Sequence, residues 1–257
     1  MAVRIALSSD LHHEVNRGST MAFPTPQDVD VAILAGDIGS KTHGMRYAKL
    51  AHADWPGQPP VVYVLGNHEY YHAHLGLLVE ARRLSQGQVH LLEQNVLELS
   101  GLRILGCTLW SGFDLYGMDK VESSMAAAGK YINDFHLIRA SGRFLQPKDI
   151  RALYLKSVAW LDAELTRPFD GKTVVVTHFA PHRGCIDPKY DVGDALTPYF
   201  VNNLAWLMEK HRIDAWCFGH THYNVDFIAE GGCRIISNQQ GYPGEPTGFR
   251  PNWALDI

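Results

Sequence analysis

Side chains of metal-binding type stand directly behind five short apolar runs of this 257-residue chain. Asp10 and His12 follow residues 3–7, Asp37 follows 31–35, Asn67 follows 61–65, His178 follows 173–176, and His220 and His222 follow 215–218. Carboxylate and amide oxygens mixed with imidazole nitrogens suit Mn²⁺, Fe, Co, Ni or Zn²⁺ better than Ca²⁺ or Mg²⁺, which prefer oxygen alone. Seven such donors are more than one ordinary ion needs, and two ions sharing a carboxylate would use them well. Asp10 and His12 are two residues apart, as are His220 and His222, and in extended chain such residues point to the same side. Each pair is therefore expected to face one site from an extended segment. Gly36, Gly66 and Gly219 precede the candidates and would permit unusual dihedrals where strand becomes ligand-bearing loop.

The five runs are β-branched or aromatic and bounded by turn residues, as buried strands are. Helical spacing of apolar residues covers 42–53, 75–84 and 148–165, the last with Pro147 near its start and Pro168 beyond its end, and 200–211 reads as a further helix. Strands alternating with helices predict an α/β fold with covered sheets, whose ligand sites gather at strand carboxyl ends. Residues 96–99 and 103–108 flank Ser100-Gly101, and 225–230 and 233–237 flank Gly231-Gly232, two hairpin signals. Residues 253–257 are expected to close a sheet edge. No repeat, low-complexity tract or linker interrupts the chain. Residues 1–257 read as one domain with an insert around 110–147, helical near 123–131.

The blocks Asp10-x-His12, Gly36-Asp37, Gly66-Asn67-His68-Glu69, His178 and Gly219-His220-x-His222 resemble those of the calcineurin-like metallophosphoesterase family, in the family's order. Asn133-Asp134-Phe135 and residues 238–245 are similar to bacterial members of unassigned substrate. The resemblance implies a four-layer α/β/β/α sandwich of two mixed sheets flanked by helices. It implies two divalent ions, Mn²⁺ foremost with Fe, Ni, Co or Zn²⁺ as alternatives. Asp10, His12 and His222 would hold the first, Asn67, His178 and His220 the second, and Asp37 would bridge both. The implied reaction is hydrolysis of a phosphate diester or monoester by a hydroxide bridging the ions, which also neutralise charge on the phosphoryl oxygens. His68 would bind no metal and would protonate the departing alkoxide, a role typically worth about 10²–10⁴-fold.

Two other functions fit the same fold. A non-catalytic interaction scaffold would have lost ligands or the proton-donating histidine, and here all are present. A nuclease would have similar metals but would need a basic surface. The family's protein phosphatases carry extra arginines inside the Asp37 and Asn67 blocks, whereas here Asp37 precedes Ile38-Gly39-Ser40 and His68 precedes Glu69-Tyr70-Tyr71. Glu69 is expected either to orient His68 or to serve a helix start. His182 and Arg183 could meet a substrate phosphate. Trp110, Phe113, Tyr116 and Tyr131 could cover the cleft or pack a subsidiary core. His13 should point away from His12.

The formal charge of −4 and a pI near 6.4 argue against nucleic acid as a partner and leave a small phosphate ester as the expected one. Hydrophobic residues at 46% and charged residues at 19% describe an ordinary globular chain. Cys107, Cys185, Cys217 and Cys233 form no CxxC pair and read as reduced, buried thiols. No apolar run approaches the roughly 20 residues of a membrane helix, and residues 3–7 read as a first core strand, not a signal peptide. A cytoplasmic enzyme is the expectation.

Overall fold

The computed structural model describes residues 2–16, 28–190 and 193–257. Strands β1 (Arg4–Ser8), β2 (Val31–Ala35), β3 (Val61–Val64) and β4 (Val89–Leu91) lie parallel, and β13 (Ala254–Asp256) joins the β1 edge antiparallel. The second sheet begins at the hairpin of β5 (Asn95–Leu99) and β6 (Leu102–Cys107). Next to β6 come β9 (Lys172–Thr177), β10 (Ala215–Phe218) and β12 (Arg234–Ser237), all parallel, and β11 (Asp226–Ile228) closes the far edge antiparallel. Strands β7 (Arg139–Ala140) and β8 (Arg143–Phe144) form a separate small hairpin.

Side chains alternate across each strand. Ile5, Leu7, Ile33 and Val64 of the first sheet share one buried cluster with Ile104, Val174, Val176 and Ile236 of the second, so the sheets pack face to face. The intervening residues, among them Leu34, Tyr63, Val175 and Trp216, point outward into a second cluster shared with the helices. Helices α1 (His43–Asp54) and α2 (Leu77–Leu84) cover the first sheet, and α5 (Pro147–Leu165) and α7 (Ala205–Lys210) the second. Helix α5 buries Ile150, Tyr154, Ser157, Leu161 and Leu165, one helical stripe, behind a capping box of Gln146 and Asp149 with Pro147 at its start. The result is the four-layer arrangement of two mixed sheets between helices that the motifs implied. Among the described residues no helix is long and apolar enough to cross a membrane. The four cysteines are free and buried.

Residues 110–147 hold α3 (Val121–Tyr131), α4 (Asp134–Leu137) and the β7–β8 hairpin. Trp110 and Phe113 belong to the core: their rings lie 5.5 Å from Phe179 and 6.4 Å from Tyr199. Tyr116 is half-buried against the same core, whereas Tyr131 is exposed and lines the cleft described below.

The helix expected over 200–211 is broken. Helix α6 (Thr197–Phe200) stops at Val201, which is extended and bridges Ala180, and α7 starts only at Ala205. Asn202 explains the break. Its buried amide accepts from Gly112 N at 2.9 Å and donates to Trp110 O at 2.9 Å. Satisfying those two buried backbone groups outweighs the four residues of helix forgone at 201–204.

Candidate metal centre

Strands β1, β2, β3, β9 and β10 are parallel within their sheets, and their carboxyl ends meet at one rim. Asp10, His12, Asp37, Asn67 and His178 are buried there, and His220 is 8% exposed. The structure brings all seven expected donors together. Donor atoms of Asp10, His12 and His222 lie within 4.8 Å of one another, as do those of Asp37, His178 and His220. His12, Asp37 and His68 form a third such group, so Asp37 belongs to two of the three. Asn67 Oδ1 is 3.1 Å from His178 Nε2 and thereby adjoins the Asp37 group.

The imidazoles are aimed. His178 Nδ1 sits 2.8 Å from Ala35 O, His12 Nδ1 3.1 Å from Glu14, and His222 Nδ1 2.6 Å from Glu245. Fixing one ring nitrogen in this way turns the other, Nε2, toward the centre, as protein partners do for metal-binding histidines. His12 Nε2 and His222 Nε2 are 3.1 Å apart, and His222 Nε2 is 3.4 Å from Asp10. His220 Nε2 is buried without a hydrogen-bond partner. Such an orphan typically costs about 1–3 kcal/mol, and a cation would satisfy it. Burial, reinforced by His178, holds His220 well below its ordinary pKa and so keeps its lone pair free. Burial would raise Asp37, yet His178 and His68 hold its carboxyl well below the usual range. The donor set therefore fits divalent ions.

The extended geometry expected for the paired ligands is not found. Asp10 (φ 53°), His12 (45°), Asp37 (54°), His220 (74°) and His222 (50°) all occupy the left-handed region. Each such non-glycine residue costs of order 1–3 kcal/mol, strain that concentrates at functional sites. The pairs converge because both members kink. Two of the glycines act through space, not through dihedrals. A Cβ on Gly66 would lie 2.1 Å from Asp37 Oδ1, and one on Gly219 would lie 2.6 Å from Asp10 Oδ2.

Residues 3–224 match the model for calcineurin-like phosphoesterases. The chain belongs to this family. It is thus a metal-dependent phosphoester hydrolase of a family whose centre holds divalent metal ions as a pair. An uncharacterized protein of Acanthamoeba polyphaga mimivirus is 28% identical over 254 residues, covering 90% of this chain and 85% of that one. The fold is similar to phosphopantetheinyl hydrolase from Mycobacterium tuberculosis, with a TM-score of 0.76 and 18% identity over 100% of this chain and 95% of that one. A dimetal phosphatase from Danio rerio is similar with a TM-score of 0.51 and 14% identity, over 91% of this chain and 86% of that one.

Four residues of this phosphoesterase escaped the sequence reading. Glu14 Oε1 lies between His12 Nδ1 at 3.1 Å and His68 Nδ1 at 3.0 Å. Tyr242 places its hydroxyl 3.0 Å from His68 Nε2 and its ring 4.6 Å from that of His12. Buried Asp134 accepts from the Asn67 amide at 2.9 Å and from the Tyr71 hydroxyl at 3.0 Å. Glu245 holds His222, as above. Glu14 sits two residues past His12, a spacing that could have drawn attention. Asp134, Tyr242 and Glu245 fell inside the stretches similar to bacterial members, with nothing local to name their partners.

Glu69 neither orients His68 nor merely serves a helix start. It is fully buried and accepts from Gly66 N (2.7 Å), Asp37 N (3.0 Å), Ile38 N (2.9 Å) and Tyr63 Oη (2.8 Å), stapling the β2 and β3 loops together. Burial and the Asp37 carboxylate push its pKa up to about 7. Arg183 donates to Leu115 O, and His182 pairs with Glu230 at 3.0 Å, so neither lines the cleft. His13 packs edge-on against Tyr47, 4.1 Å away, and not toward the centre.

Proposed function

We propose that this phosphoesterase hydrolyses a small phosphate monoester or diester at the rim. One divalent ion would be held by Asp10, His12 and His222, a second by Asn67, His178 and His220, with Asp37 between them and His68 as proton donor. The observation that carries this reading is the aim of the imidazoles, above all the partnerless, buried Nε2 of His220. When bound, two such ions would supply positive charge against the phosphoryl group and lower the pKa of water toward neutrality. Mn²⁺ suits the mixed oxygen and nitrogen donors.

The chain's own residues supply the rest. Burial would lower the His68 pKa, but Asp37 and Glu14 raise it above the ordinary value and so favour the protonated ring. Its Nδ1–H points at Glu14, which leaves the Nε2 proton for the leaving oxygen. Tyr71 stacks on the ring at 4.1 Å and the Tyr242 hydroxyl lies 3.0 Å from Nε2, and both tyrosines line the cleft. Lys189 is the lysine in that lining, and its ammonium is paired with Asp187 at 2.8 Å. The four free, buried cysteines fit a cytoplasmic location.

The test is a panel of chromogenic phosphate monoesters and diesters assayed with Mn²⁺, Ni²⁺, Fe²⁺ and Zn²⁺ in turn. Turnover of at least one class with Mn²⁺ is expected. Inactivity with every ion and ester would leave the scaffold reading in its place.

Asp134 supplies a second prediction. Without its carboxylate the Asn67 amide loses an acceptor and is free to rotate. Asp134→Ala should weaken binding of one of the two ions by about 10–100-fold, as loss of an outer hydrogen-bond partner does, and the other ion much less. Metal titration against a chelator reads this directly. Two unchanged affinities in a folded variant would show that Asp134 does not position Asn67.

A further inference from the structure

The cleft over the candidate ligands has a volume of about 270 Å³ and is lined by Asn67, His220, His222, Tyr242 and Lys189 among others. It does not end there. Tyr190, Phe200 and Thr221 are walls of this cleft and also of a second cavity of about 240 Å³. The second cavity is otherwise bounded chiefly by Cys185, Ile186, Leu196 and Val201. Thr221 lies in the chain between His220 and His222, and the Phe200 ring stacks on His220 at 5.3 Å and 28°. A group in the second cavity therefore sits one ring away from the candidate ions.

The charged side chains lining this cavity are Asp187 and Asp194. Both are already engaged by their own loop. Asp187 takes Lys189 Nζ at 2.8 Å and Lys189 N at 3.0 Å, and Asp194 accepts from Leu196 N at 2.7 Å. No lysine or arginine lines it among the described residues. A second phosphate or a carboxylate would meet apolar walls and two carboxylates there. An uncharged apolar group would bury its surface against Ile186, Leu196, Phe200 and Val201 and bring no second anion near those carboxylates.

We propose that this cavity seats the retained arm of a phosphodiester substrate, and that the arm is uncharged and apolar, an alkyl or phenylalkyl group, while the phosphate lies in the polar cleft. The assignment rests on the reading of the rim as a phosphoester site and narrows the substrate class within it. Nucleoside polyphosphates and other esters with a second anion on the arm are disfavoured.

The test uses the Mn²⁺-loaded protein and two matched series. Calorimetry compares methylphosphonate, 2-phenylethylphosphonate and 2-carboxyethylphosphonate, which are not hydrolysed. Kinetics compare 4-nitrophenyl phosphodiesters whose second arm is methyl, 2-phenylethyl or 2-carboxyethyl, so the leaving group stays constant. The phenylethyl arm should raise both affinity and kcat/KM over methyl by roughly ten- to a hundredfold, the scale of discrimination an apolar pocket achieves, and the carboxyethyl arm should bring no gain. Ile186→Asn and Leu196→Asn, each on the far wall, should bring the phenylethyl-to-methyl ratio down several-fold. Equal values for the methyl and phenylethyl arms in the unaltered protein would overturn the pocket while hydrolysis itself upheld the phosphoesterase reading. A ratio that survives both substitutions would overturn it too. Hydrolysis of monoesters with none of these diesters would also overturn the pocket, whereas failure to hydrolyse any monoester or diester would instead overturn the proposed function on which it rests.

Discussion

His68→Asn should lower kcat on alkyl phosphate esters by about 10²–10⁴-fold, the usual worth of a positioned general acid, and lower it far less on 4-nitrophenyl esters. The difference follows from the leaving groups. An alkoxide cannot depart without a proton, whereas 4-nitrophenolate can. The substitution spares the rest of the rim, because the contact that ties this position to Asp37 is made by the backbone: His68 N donates to Asp37 Oδ1 at 2.8 Å. The lost groups are the ring held by Glu14 at Nδ1 and by Tyr242 at Nε2. Metal content should stay at two ions per chain. The geometry makes that measurement informative, since His68 also stands in one of the three clusters able to hold an ion. An equal fall for both leaving groups together with loss of an ion would make His68 a ligand and end its assignment as the acid.

Asp37→Asn should release both ions together. The Asp37 carboxylate shares clusters with His12 on one side and with His178 and His220 on the other, and its Oδ2 lies 3.3 Å from His178 Nε2. Asparagine keeps the size and an acceptor for His68 N but removes the negative charge. Loss of an outer partner alone commonly weakens metal binding by about 10–100-fold. Loss of a charge shared by two cations should exceed that at each site and reduce activity to background at micromolar metal. Elemental analysis after dialysis checks it. Full occupancy of both sites in Asp37→Asn would contradict the placement of this carboxylate between them. A loss confined to one ion would assign Asp37 to that ion alone.

Much of the scaffold was legible in the chain because it rests on local pattern. Continuous apolar runs bounded by glycine and polar residues became β2 and β10 with the expected bounds and β1, β3 and β9 with ends shifted by a residue or so. The Ser100-Gly101 and Gly231-Gly232 signals each mark a real antiparallel pair. The failures came where a distant group outweighs local preference. Residues 200–211 carry a helical pattern, yet Asn202 is drawn into bonds with Trp110 and Gly112, some ninety positions away. Tyr242 sits in a glycine- and proline-rich turn that gives no hint of His68.

What the sequence determined by itself is the inventory: which donors follow which strands, in an order and spacing that name the family. That much is one-dimensional, because a ligand must stand where its strand stops. The tertiary structure decided what those donors face and what holds them. Left-handed kinks, not extended chain, turn Asp10 with His12 and His220 with His222 inward. Glu14, Glu245 and Asp134 aim the imidazoles and the Asn67 amide from remote or unremarked positions. The apolar cavity beyond Phe200 draws its walls from Cys185 and Ile186, from Leu196 to Val201 and from Thr221, which spacing along the chain does not join. Hydrogen bonds and cavities depend on distance in space, which residue spacing along a folded chain does not encode.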